Sequence, residues 1–232
     1  SPLSPIYQPT YGRDFVEAVR KGLKVAYCKD IAGIGIDEDV EKVCRTAAFE
    51  LTQAGIEVEE LDLDLSFARK AFLTLRGYEF VAEFYEHLDD VDKFGINVAN
   101  NLKAGLKLTP QELGAAEHAR SKLWHLFTEL FQKYDHLLTP CMAVPPFPVE
   151  QNYPETIAGK KMETYVDWMA PTFVLSLTSL PVACVPCGLD SKNLPVGMQV
   201  VGRQMGEEAV LALANVVQEW CSIGLPDLAN FG

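Results

Sequence analysis

SLTSLPVACVPCGLDSKNLPVGMQVVGR, residues 176–203, is the most informative stretch of this 232-residue chain. PVACVPCGL and LPVGMQVVG are two apolar runs separated by the polar turn Asp190–Asn193, and they read as paired strands. Cys184 and Cys187 have CxxC spacing. A strand points residues i and i+3 to opposite faces, and Pro186 stands between them, so the pair is not read as a metal or redox motif. Gln199 sits in an apolar strand, where its amide needs partners, and a structural hydrogen bond is the expected role.

Upstream, Trp168 to Leu189 is the longest run without a charge. It has the length of a membrane span, but Pro171, Pro181 and Pro186 interrupt it. It reads instead as a buried helix over 163–180 leading into the first of the two strands. Before it lies CMAVPPFPVEQNYPE (141–155), a proline-rich loop too long for a plain connector. HLLTP (136–140) reads as a short buried strand. Thr109, Pro110 and Glu112 form a capping-box start for a helix running to about Tyr134, with Leu123, Leu126, Phe127, Leu130 and Phe131 inward. Another long helix is expected over 66–88, with Phe67, Ala71, Leu75, Tyr78, Val81, Ala82 and Tyr85 at helical spacing.

The opening is a strand–helix–strand unit. LKVAYCKD (23–30) is a strand, and Asp37 caps a helix that ends at Gly55. IEVEELDLD (56–64) then alternates apolar and acidic with a period of two. Such a unit predicts parallel strands. A short helix is expected over 12–22, and a final one over 207–221.

Net charge is -12 and pI is about 4.8, which argue against nucleic acid and anionic membranes as partners. SPLSPIYQPTYGRDF (1–15) has no apolar signal-peptide core, so a cytoplasmic location is expected and a secreted solute binder is disfavoured. The six cysteines, at 28, 44, 141, 184, 187 and 221, read as reduced core thiols without a metal.

The pattern in 176–203 resembles the carboxy-terminal part of the amidase-signature family. There a Thr-containing turn leads through Pro to a strand ending in Val-Pro-x-Gly, then to Leu-Pro-Val-Gly-hydrophobic-Gln. Here these are Thr178, Pro181, Val185 to Gly188, and Leu194 to Gln199. LKVAY, GIEVEEL, Arg120, Tyr134-Asp135, LLTP and the closing EEAVLALANVVQEW follow the family in order, so the resemblance covers about residues 22–221. It implies an α/β fold, a mixed sheet flanked by helices, as part of the amidase-signature fold. It also implies that 1–232 is one domain equivalent to the carboxy-terminal half, with 1–21 an amino-terminal arm and short helix.

In the family a Ser nucleophile, a second Ser and a Lys base cleave the amide, and all three lie in a Gly- and Ser-rich amino-terminal half. No serine of this chain sits among clustered glycines, and there is no Gly-x-Ser-x-Gly elbow, so no catalytic residue is assigned. The resemblance implies no cofactor and no metal. It places Met142, Phe147, Tyr165, Thr172 and Phe173 on the wall of a substrate pocket, with Arg76 and Tyr78 on the long helix beside them. A small-molecule amide is then the expected partner, together with the missing half. The chain alone is expected to be inactive, and to be a homo-oligomer if cut from a larger fold. A non-catalytic, amidase-like binding or assembly module is the rival reading.

Overall fold

The computed structural model describes residues 22–224; the short helix expected over 12–22 lies outside them, apart from Gly22. The main sheet has five strands: β1 (Lys24–Tyr27), β2 (Glu57–Glu60), β3 (His136–Pro140), β6 (Val182–Leu189) and β7 (Pro195–Val201). Their order across it is β2-β1-β3-β7-β6. A two-stranded hairpin, β4 (Thr156–Ile157) with β5 (Lys160–Lys161), stands apart. β1 is parallel to both β2 and β3, while β7 is antiparallel to β3 and β6, so the sheet is mixed.

Local chemistry places many boundaries where the sequence puts them. Asp37 accepts from the Asp39 N–H at 3.0 Å and starts α1 (Glu38–Glu50). A 3₁₀ turn follows and stops at Gly55, whose φ of 80° is left-handed. Thr109 and Glu112 form the reciprocal capping box of α4 (Pro110–Lys133). The last helix among the described residues is α6 (Glu207–Trp220). α1 covers one sheet face: Tyr27 meets Phe49 edge-on at 6.3 Å, and Cys44 meets Cys187. α6 lies on the same face, where Val210 crowds Gly202 and His136.

Four segments differ from the sequence reading. The long helix is α2 (Phe67–Glu83), five residues shorter than expected at its end. A kinked 3₁₀ stretch (Tyr85–Lys93) follows it, and then α3 (Ile96–Gly105), which the sequence reading does not contain. The face of α2 is also rotated from the expected one. Ala68, Ala71, Thr74 and Gly77 are buried, whereas Tyr78 is 53% exposed and Tyr85, just past the helix, is 72% exposed. At the end of that face α3 packs backbone to backbone on Gly77: a Cβ there would lie 3.2 Å from the Gly105 Cα.

The helix expected over 163–180 is a 3₁₀ turn (Asp167–Met169) and a short α5 (Ala170–Ser176). Asp167 folds the chain back before it, accepting from the Glu163 and Thr164 N–H groups at 2.6 and 2.8 Å. The helix ends early because Thr178 donates its hydroxyl to the Leu175 carbonyl and Ser179 turns with φ 56°. The β4–β5 hairpin, also unread, turns on Ala158 and Gly159, both at positive φ (46° and 76°).

Candidate functional site

Three groups of side chains meet around the carboxyl end of β3. The first is an apolar cleft of about 320 Å³. Met142, Val144, Pro145, Pro146 and Phe147 line it from the loop after β3, Pro195 to Gly197 from β7, Val40 from α1, and Trp168 closes it. Prolines at 145, 146 and 148 lack N–H donors, so this loop cannot extend the sheet. It is pinned instead at Ala143, whose N–H donates to the Trp168 carbonyl at 3.1 Å and whose carbonyl accepts from Asp37 at 2.8 Å. Phe147 meets Trp168 edge-on at 5.1 Å. The lining suits an apolar group.

The second group ties α5 to the sheet. The buried Gln199 amide donates to the Pro140 and Pro171 carbonyls, both at 3.1 Å, which is the structural role expected of it. The Thr172 hydroxyl donates to the Cys141 carbonyl at 2.7 Å. Cys141 and Cys184 face each other across Gly197, where a Cβ would lie 3.3 Å from both side chains. A hydrogen bond from the Cys184 thiol lowers Cys141 to about 7, while the same bond pushes Cys184 up.

Cys184 and Cys187 do face opposite sides of β6. Cys187 lies buried 3.7 Å from Cys44 under α1, and Cys184 is exposed. All six cysteines are free, but only Cys28, Cys44 and Cys187 are buried. Core placement fails for Cys184 because β6 is an edge strand and Cys184 faces away from α1, the helix that covers Cys187.

The third group is one stripe of α2 against the 163–173 segment. Arg69 pairs with Asp167 at 3.5 Å, and Phe72 stacks on Phe173 at 4.2 Å. Arg76 Nη2 donates to the Tyr165 hydroxyl oxygen at 3.1 Å. Tyr165 is linked to the cleft, since Trp168 Nε1 donates to its carbonyl at 2.9 Å.

The seven residues singled out in the sequence therefore divide. Met142 and Phe147 line the cleft, Tyr165 bonds its Trp168, Arg76 bonds Tyr165 away from the cleft, Thr172 and Phe173 hold the scaffold, and Tyr78 points outward. Asp167 and Arg69 join the site without being among those seven. Asp167 had a legible signal, because Thr164-x-x-Asp167 is capping-box spacing ahead of an apolar run.

Neither serine near α5 is armed. Ser176 donates to the Phe173 carbonyl at 2.7 Å, and Ser179 occupies the turn after the helix. Among the described residues no serine hydroxyl is hydrogen-bonded to a lysine or histidine, and no three His, Cys, Asp or Glu side chains cluster as metal ligands. No described helix is long and apolar enough to cross a membrane.

The chain is 27% identical over 220 residues to an acylamidase of Rhodococcus erythropolis, covering 89% of this chain and 45% of that protein. It is 26% identical over 231 residues to a fatty acid amide hydrolase of Medicago truncatula, covering 95% and 36%. A bacterial aryl acylamidase of the amidase-signature family superposes with a TM-score of 0.79 at 19% identity, covering 89% of this chain and 45% of that one. The chain thus spans less than half the length of these relatives, within the same mixed-sheet fold. The family model described as Amidase matches residues 3–211, and the chain belongs to that family of amidase-signature amide hydrolases.

Proposed function

We propose that this chain forms the substrate-walling part of an enzyme that hydrolyses a carbon–nitrogen amide bond, with the bond-breaking groups outside residues 1–232. One observation carries the reading: a family member with a formed apolar cleft has no described serine hydroxyl hydrogen-bonded to a lysine or histidine. A serine without such a neighbour is a weak nucleophile at neutral pH. Met142, Phe147 and Trp168 then select the apolar part of the substrate, while Thr172 and Gln199 hold the wall in place. The proposal carries a cytoplasmic location, which the free thiols support, and self-association of the isolated chain.

A panel of aliphatic, aromatic and amino-acid amides tests it. The purified 232-residue chain is expected to give no turnover above buffer. Turnover that disappears in Ser176→Ala or Ser179→Ala would place a nucleophile inside the chain and overturn the reading, as would turnover that survives both.

A further inference from the structure

Arg76 stands four residues after Phe72 and four before Phe80, so the three share one stripe of α2. Its guanidinium lies 4.7 Å from the Phe80 ring centroid and 6.0 Å from that of Phe72. Nε donates to Asn101 Oδ1 at 3.3 Å, and Nη2 donates to Tyr165 Oη at 3.1 Å. Asn101 Nδ2 donates to Tyr165 Oη at 2.9 Å and to the Asn97 carbonyl at 2.7 Å. Both Arg76 and Tyr165 are half-buried, open to solvent on one side.

The balance of donors and acceptors in this cluster is one-sided. A tyrosine oxygen has two acceptor positions, and here both are filled by N–H donors, so its own proton is left to donate. Asn101 has its oxygen and both N–H positions engaged. Arg76 has five N–H groups, and Nη1 has no partner among the described residues. Apart from one lone pair on Asn101 Oδ1, the polar valences left over are donors, beside a full positive charge.

Arg69 shows the contrast. It stands seven residues earlier on the same stripe and has Asp167 as its counter-ion. Arg76 is held by neutral groups and forms no ion pair among the described residues. A partly desolvated guanidinium gains most from a planar carboxylate, which meets its fork with two parallel bonds.

We propose that Arg76 and the Tyr165 hydroxyl form a binding site for the carboxylate of a small organic acid, with Phe72 and Phe80 against its apolar body. In the proposed hydrolase the carboxylate belongs to the amide substrate, so the inference deepens that reading. Binding is measured here without turnover, so the two can fail separately.

The probe is benzoate, titrated into the 232-residue chain by NMR or calorimetry, with benzamide as the neutral shape control and inorganic phosphate as a non-planar anion. Benzoate is expected to bind at least about tenfold more tightly than either control. Its affinity should stay flat over roughly pH 6 to pH 9, because guanidinium and carboxylate both keep their charge there. Arg76→Gln should weaken it about tenfold or more, Tyr165→Phe severalfold, and Arg76→Lys should fall between wild type and Arg76→Gln. Circular dichroism identifies any variant that fails to fold; Tyr165→Phe and Arg76→Lys then carry the test. Equal binding of benzoate and benzamide would overturn the proposal. So would tighter binding of phosphate, no benzoate binding up to about 20 mM, or folded variants that bind like wild type.

Discussion

His136 begins β3 in the core, 3% exposed, with Nδ1 unpartnered and a backbone hydrogen bond to Val201. Burial holds its pKa below the 6.5 of a free imidazole, and the nearby Asp135 only partly opposes this. The folded chain therefore binds the proton less readily than the unfolded chain. Stability should be complete above the unfolded value and fall as pH drops below it, since the unfolded state then carries more protons. A urea midpoint that declines from about pH 7 to about pH 5 is the expected outcome, ahead of the window in which the carboxylates titrate. His136→Gln, which removes the titration, should flatten that slope; an unchanged slope in the variant would assign it to another group. The same residue scale explains why the bonding of Gln199 was legible and the partners of Arg76 were not. A lone amide in an apolar strand must find acceptors wherever the strand lies. Whether an arginine meets Asp167 or Tyr165 depends on a segment about ninety residues away.

Capping signals made the ends of α1 and α4 readable, because the partners are two or three residues apart. Which face of a helix is buried is a different question, and α2 answers it against the pattern of its large side chains. Its seam consists of Ala68, Ala71, Thr74 and Gly77, and at Gly77 α3 approaches closely enough to exclude anything larger. A Cβ on Gly105 would fall directly onto the Gly77 carbonyl and lie 2.8 Å from Val81 Cγ2. Alanine is the better helix former by about 1 kcal/mol, but forcing two backbones apart costs about 1–3 kcal/mol or more. Gly105→Ala is therefore expected to destabilise by about 2 kcal/mol in chemical denaturation. Gly114→Ala, in α4 with nothing within 4 Å of the new methyl, should gain up to about 1 kcal/mol. A neutral or stabilising Gly105→Ala would mean that α3 packs less closely than described.

The two edges of the sheet differ in character. β2 carries Glu57, Glu59 and Glu60, with Lys24 and Arg45 paired to them, and charge of this kind blunts an edge. β6, at the other end, exposes Val182 (38%) and Leu189 (41%), with Cys184 and Pro186 also exposed on it. Apolar surface is worth about 25 cal/mol per Å² when buried, so an edge of this kind favours association. The isolated 232-residue chain is expected to self-associate through β6, as a symmetric dimer kept soluble by its net charge of -12. Sedimentation velocity across a wide concentration range checks this. A concentration-independent monomer that binds no hydrophobic dye would show that β6 needs no cover.

By itself the sequence determined the strand–helix–strand opening, the capped helix α4, the buried β3 and the β6–β7 pair, and with them the family. Each rests on caps, turns and alternation among near neighbours, whose physics is local. Tertiary structure decided which face of α2 is buried, how far α5 runs, where α3 lies, and which cysteines meet. It also decided which of the candidate residues line the cleft and which only support it. The pairs Cys44 with Cys187, Arg69 with Asp167 and Arg76 with Tyr165 join residues 143, 98 and 89 apart. No periodicity within a segment encodes such pairs, because they follow from how α1 packs on β6 and how α2 packs on the 163–173 segment, which only the packed chain sets.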